Sequence, residues 1–162
     1  MKRLYLIRHA KSSWKNPDLP DLDRPLNKRG ERDAPFMGKR LKKSKIRPDL
    51  IISSPAKRAL KTARIIAKEI GYPKDKIMIK DSLYASSVST IVNIIQYLDE
   101  SIAEAMLVGH NPDFTSLANY LTNYGVDNIP TCGIFCVDFD IKLWKEVDQG
   151  KGILNFFDYP KK

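Results

Sequence analysis

The sequence predicts an α/β fold, a three-layer α/β/α sandwich with a mostly parallel central sheet and antiparallel strands at the C-terminal end. Two observations predict it. Short apolar runs bounded by breakers, at residues 4–7, 49–53 and 105–108, alternate with segments of helical periodicity, as in parallel sheets covered on both faces. From Gly133 the pattern changes to β-rich runs, 134–139, 143–147 and 153–157, which close the sheet in antiparallel fashion. No repeat, low-complexity block or Gly/Ser linker divides the chain, so residues 1–162 are read as a single domain.

Each element has its own signal. Residues 4–7 form a buried strand, followed by a polar, Pro-rich loop over 11–25. Asn27 is placed to cap a helix running toward Lys43, in which Pro35 predicts a kink or a late start. After the strand at 49–53, Pro55 suits the first position of a second helix, with Ser53 or Ser54 as cap and Gly71 as stop. Ala56, Leu60, Ala63, Ala67 and Ile70 give that helix an apolar stripe. A short strand is expected at 76–80 and a helix at 88–98. A buried strand follows at 105–108, and Asn111-Pro112 opens a helix toward Leu121.

Composition limits the function. An apolar fraction of 43% excludes a disordered chain, and no apolar run is long enough for a membrane span. The apolar stretch after Met1 is too short for a signal peptide, and the expected location is the cytoplasm. Cys132 and Cys136 lack a second pair, which argues for free thiols and against zinc. The net charge of +9 hides an asymmetry: residues 1–80 hold 23 basic and 8 acidic side chains, residues 81–162 hold 5 and 11. Such a basic half suits either a nucleic-acid-binding module or an enzyme acting on anions.

Residue positions favour the enzyme. The chain has two histidines, His9 and His110, and each directly follows a predicted strand. In open α/β sheets ligands bind beyond the carboxyl ends of the strands. A lone histidine is most often structural, but two at equivalent strand ends, with Arg8 at one and Arg58 beyond another, form a constellation. Arginines beside an apolar core are costly unless an anion compensates them, and their forks match phosphoryl oxygens. The helix start after Pro55 adds backbone donors. No nucleic-acid recognition motif or interleaved stacking aromatic accompanies the lysines, so no nucleic-acid partner and no membrane is expected.

Four ordered blocks carry a resemblance: Arg8-His9-Ala10, Asp23-Arg24-Pro25-Leu26-x-x-Arg29-Gly30, Ser53-Ser54-Pro55-x-x-Arg58-Ala59-x-x-Thr62-Ala63, and Gly109-His110-Asn111-Pro112. Over residues 3–157 the chain resembles the histidine phosphatase (phosphoglycerate mutase-like) superfamily, and more closely its SixA-type phosphohistidine phosphatase branch. Ala10 stands where the superfamily usually has glycine, a change that removes no reacting group. The resemblance implies His9 as nucleophile, transiently phosphorylated in its neutral form, with its other ring nitrogen donating to a backbone carbonyl. It implies Arg8, Arg58 and a protonated His110 around the phosphoryl oxygens, and Arg24 reaching the same pocket from the loop. Asn111 joins the phosphate-binding set, although turn and cap roles account for it, and for Ser12 and Ser13, equally well. Trp14 is expected at the entrance. No metal and no cofactor is implied.

Mutases and phosphomonoesterases of the superfamily generally carry a carboxylate after the third strand to protonate a departing alkoxide. Ala85 aligns with that position, and none of the five glutamates lies in residues 81–87. General acid help of roughly 10²–10⁴-fold is then missing for ordinary esters. Imidazole leaves readily, its conjugate acid having a pKa of about 6.5. The missing acid therefore favours phosphohistidine, unless Asp21, Asp23 or Asp81 supplies the proton. The expected substrate is a phosphohistidine protein, with a small phosphate ester as the alternative. Inorganic phosphate or another oxyanion is expected to fit the site.

Overall fold

The computed structural model describes residues 1–162. Six strands form one sheet: β1 (Lys2–Arg8), β2 (Leu50–Ser53), β3 (Met78–Ile79), β4 (Glu104–Gly109), β5 (Ile134–Phe139) and β6 (Gly152–Asp158), in the order β3-β2-β4-β1-β5-β6. β3, β2, β4 and β1 are parallel, β5 is antiparallel to β1, and β6 is antiparallel to β5. The helices are α1 (Lys28–Lys43), α2 (Lys57–Ile70), α3 (Val88–Gln96) and α4 (Asp113–Thr122). No helix is long and apolar enough to cross a membrane.

The central strands β1, β2 and β4 are apolar along most of their length because both faces are covered. Leu4 and Leu6 of β1 face a core shared with α3 and α4, while Tyr5 and Ile7 face one shared with α1 and α2. Each fully buried Leu or Ile side chain contributes about 1.5–3 kcal/mol. That burial fixes β1 in the middle of the sheet, where its C-terminal end carries the site.

Several local expectations need correction. Helix α1 starts at Lys28, capped by Asn27 Oδ1 accepting from Gly30 N, and passes through Pro35 without a late start. Helix α2 begins after Ala56 with no side-chain cap, so neither Ser53 nor Ser54 caps it. Ser54 Oγ instead accepts from Ala56 N and bonds His110. Gly71 does end α2, in the left-handed region at φ 79°. The buried stripe of α2 runs through Ala59 and Ile66, leaving Leu60 and Ile70 at its margin. Residues 76–80 yield only a two-residue strand after a 3-10 turn at Lys74–Lys76. Residues 143–147 form a 3-10 turn at Trp144–Glu146 rather than a strand. Trp144 is buried there and donates through Nε1 to Ile102 O at 2.8 Å, an anchor that a strand register would not provide.

Candidate active site

Sheet register brings the two histidines together. In β1 and β4, Arg8 pairs with Gly109, so the residues that follow, His9 and His110, emerge side by side. His9 N donates to Gly109 O at 3.0 Å, and the imidazole centroids lie 5.2 Å apart. Gly109 is required here, because a Cβ would lie 2.6 Å from Cζ of Phe114. The strand ends open into a cleft of about 700 Å³ lined by Arg8, His9, Arg24, Arg58, His110 and Asn111, among others.

His9 Nδ1 lies 2.7 Å from Ala10 O, so this nitrogen must donate and Nε2 carries the lone pair. Burial holds the His9 pKa down at about 3, with His110, Arg58 and Arg8 adding to the depression. His9 is therefore neutral. The backbone behind it is tied down: Ala10 N donates to Thr62 Oγ1, which donates to Arg58 O, and Cys132 N donates to the carbonyls of Arg8 and His9. Cys132 and Cys136 are free and buried.

His110 differs from the expectation of a protonated ring. Burial, then Arg58, lowers its pKa to about 4, so at neutral pH it carries no charge. Its Nε2 lies 2.7 Å from Ser54 Oγ. The positive charge at these strand ends comes from the arginines. Arg8 Nη1 donates to Ile129 O, and Arg58 donates through Nη1 and Nη2 to Asp21 O and Oδ2 at 2.7 and 2.9 Å. The Nε atoms of Arg8 and Arg58 are buried and bond to no group of the protein. Buried charged donors in that condition are costly unless an anion meets them.

Arg24 reaches the cleft from the loop, buried and held by Ser12 Oγ, Ser13 O and Asp21 Oδ1. Trp14, 71% exposed, lines the cleft and stacks on its guanidinium at 3.6 Å. The loop sits against α1 through Asn27 N donating to Lys11 O, and a Cβ on Gly30 would overlap that same oxygen. That contact explains the glycine at the end of the second sequence block.

The carboxylates are distributed differently from the expectation. Asp23 is exposed and outside the cleft wall, as is Asp81. Asp21 is in the wall, but bonds from the Tyr84 hydroxyl, Arg58 and Arg24 push its pKa well below the usual carboxylate range. It is held ionised and is a poor proton donor. Asn111 lines the cleft, yet its amide donates to Asn128 Oδ1 and Ile129 O, leaving no amide hydrogen for phosphate. Ala85 lines the cleft, and no carboxylate stands among the neighbouring lining residues Tyr84, Ser86 and Ser87.

Two cleft residues, and a buried serine behind them, escaped the sequence reading. Tyr84 donates to Asp21 Oδ2 at 2.6 Å and meets the His110 ring edge-on at 5.6 Å. Ser54 braces His110. Asp113, directly after the fourth block, has a buried Oδ2 without a partner, and burial raises its pKa. Its place two residues after Asn111 was the one signal available.

Fold and site together define a class: an α/β enzyme with paired histidines and arginines at the carboxyl ends of parallel strands. Residues 4–83 match the model of the histidine phosphatase superfamily (branch 1). An uncharacterized chloroplastic protein of Arabidopsis thaliana is 31% identical over 153 residues, 90% of this chain and 70% of that protein. An uncharacterized protein of Mycobacterium tuberculosis is 30% identical over 166 residues, 96% of this chain and 100% of its own length. Among solved structures, an Agrobacterium tumefaciens chain assigned as the phosphohistidine phosphatase SixA superposes at TM-score 0.83 with 29% identity, covering 98% of each chain. A protein histidine phosphatase SixA complexed with tungstate has the same fold, at TM-score 0.84 and 22% identity over 98% of this chain and 97% of its own. The chain belongs to the histidine phosphatase superfamily, and it is an enzyme of the phosphatase class.

Proposed function

We propose that the protein is a metal-independent phosphohistidine phosphatase acting on a protein substrate through a phospho-His9 intermediate. The observation that carries the reading is the neutral His9, its Nδ1 spent on Ala10 O, beside two buried arginine Nε–H donors without protein partners. His9 Nε2 attacks phosphorus as the P–N bond to the substrate imidazole breaks, and the leaving nitrogen takes a proton from water. Water then attacks phosphorus, the His9–phosphorus bond breaks and phosphate leaves. Arg8, Arg58 and Arg24 stabilise the charge on the transferring group, in the manner of preorganised donors. A dianion beside His110 also raises that imidazole's pKa, so binding is coupled to protonation of His110.

The P–N preference rests on the missing acid: Ala85 at the superfamily's carboxylate position and an ionised Asp21. The Agrobacterium tumefaciens relative assigned as a phosphohistidine phosphatase supports it. A second reading, a phosphomonoesterase for small esters, is favoured by Asp113, whose raised pKa and place in the cleft wall suit a proton donor.

The test compares hydrolysis of a phosphohistidine protein with that of an alkyl phosphate, with chelator present, for the wild type, His9→Ala and Asp113→Asn. The account expects chelator-resistant cleavage of the P–N bond, loss of turnover in His9→Ala and little effect of Asp113→Asn on that substrate. Alkyl esters cleaved as readily as P–N bonds, with Asp113→Asn abolishing only ester hydrolysis, would establish the second reading instead.

A further inference from the structure

We infer that Asp21 and Tyr84 form a positioning pair that sets the two phosphate-facing arginines of the loop wall, the Tyr84 hydroxyl anchoring the carboxylate and the carboxylate holding one arginine with each oxygen. The inference rests on the phosphoryl-site reading of the cleft and gives a task to two residues that the mechanism above leaves idle.

The bonding is specific by atom. Asp21 Oδ1 accepts from Arg24 Nε at 3.1 Å, and Oδ2 accepts both from Arg58 Nη2 at 2.9 Å and from the Tyr84 hydroxyl at 2.6 Å. Asp21 O also accepts from Arg58 Nη1 at 2.7 Å. The end of the Arg58 fork is thus bound to one residue, while its side edge, Nε with the second Nη2 hydrogen, keeps its donors. Arg58 Nε is buried and bonds to nothing else in the protein. Arg24 is held at Nε by Asp21 and at Nη1 by Ser12 and Ser13, which leaves Nη2 as its remaining donor group. Clamped on its end edge, the planar Arg58 guanidinium has its side edge aimed, which is what bidentate recognition of a phosphoryl group needs, while Arg24 adds Nη2 alone.

Tyr84 matters because Asp21 lies on a single exposed 3-10 turn, Asp21–Asp23, that buries no residue. Such a turn does not position its own carboxylate. The tyrosine follows another turn, Asp81–Leu83, anchored by buried Leu83, and its ring packs edge-on to His110. It therefore ties the loop carboxylate to the wall that carries the second histidine. The opposite role for Asp21, a built-in competitor that substrate must displace from Arg58, predicts the opposite sign on mutation.

Orthovanadate, a phosphoryl mimic that needs no turnover, is the probe. Its Kd is measured by titration calorimetry for the wild type, Asp21→Asn, Tyr84→Phe and the double variant. Thermal unfolding checks that each variant folds. A lost charge-assisted hydrogen bond is expected to weaken binding by about tenfold in Asp21→Asn and roughly threefold in Tyr84→Phe. The double variant should match Asp21→Asn, because Tyr84 acts through that carboxylate. In turnover, KM should rise by a larger factor than kcat falls, a split that loss of folded protein cannot produce. Tighter binding by Asp21→Asn, wild-type affinity in Tyr84→Phe, or a double variant equal to the product of the singles would overturn the inference. A wild type that fails to bind vanadate would instead defeat the phosphoryl-site reading itself.

Discussion

On one wall of the cleft, Arg8, His9 and His110 stand at the ends of two adjacent parallel strands, and backbone register alone sets them side by side. On the other, Arg24, Asp21 and Tyr84 come from connecting segments and are set by side-chain hydrogen bonds to one another. The first wall inherits its geometry from the most buried part of the molecule. The second depends on a few polar contacts near solvent, one of which, Tyr84 to Asp21, joins segments 63 residues apart in sequence. A cleft built this way should tolerate changes on its loop wall by degrees, and changes at Arg8, His9 and His110 hardly at all.

After His9, whose loss stops turnover, the largest expected effect is at Arg58, which stands at the start of α2 and is bound by Asp21 of the loop wall. Arg58→Ala should lower kcat by about 10²–10³-fold, the usual loss when a preorganised donor to a developing charge is removed. Steady-state kinetics beside an unchanged circular dichroism spectrum checks this, and a loss below tenfold would move Arg58 out of the reacting centre.

Gly30→Ala tests how rigidly the loop wall is held. Its Cβ would overlap Lys11 O, so the loop carrying Ser12, Asp21 and Arg24 must shift, at a cost of about 1–3 kcal/mol. Chemical denaturation should show that loss, accompanied by weaker oxyanion binding.

The pH dependence isolates the strand-end wall. His9 and His110 titrate near 3 and 4 in the folded protein, below the ordinary histidine value of 6.5, chiefly because they are buried. The unfolded chain therefore binds more protons than the folded one below pH 6.5. Stability contributed by the neutral imidazoles is present above pH 6.5 and drains away as the pH falls toward about 3. The acid limb of kcat/KM should likewise lie well below 6.5, and a limb at 6.5 would contradict the burial argument. Phosphate binding at neutral pH should take up a proton as His110 gains its charge, measurable by calorimetry in buffers of different ionisation enthalpy.

The smallest effect is expected for Ser54→Ala, which leaves His110 Nε2 and Ala56 N without their Oγ partner. A loss of about 1 kcal/mol in stability and several-fold in activity should follow.

The same division governs what the sequence revealed. The strand-end residues were legible because apolar runs announce buried strands, and ligands gather at the carboxyl ends of parallel strands. His9, His110 and Arg8 are thus legible at strand ends, and Arg58 in the first turn of the helix after β2, from the sequence alone. The motif around Thr62 is now understood physically, through its bridge from Ala10 N to Arg58 O. Tyr84 and Ser54 were missed because their roles arise from contacts between segments far apart in sequence, which no local pattern encodes. Asp21 was read as a candidate acid because its charge environment was invisible: two arginines and a tyrosine converge on it only in three dimensions. His110 was expected to be charged for the same reason, since burial and Arg58 are tertiary facts. Residues 143–147 carry strand-like spacing, but Trp144 turns inward to donate to Ile102 O, and that anchor overrides the pattern.

The central claim is that His9 becomes covalently phosphorylated. Rapid quenching of the wild type with a phosphohistidine protein labelled in its phosphoryl group, followed by peptide mass spectrometry, tests it most directly. The account predicts an acid-labile, alkali-stable phosphoryl group on His9, formed within a single turnover and absent in His9→Ala. Turnover with no label on His9, or undiminished turnover in His9→Ala, would contradict it.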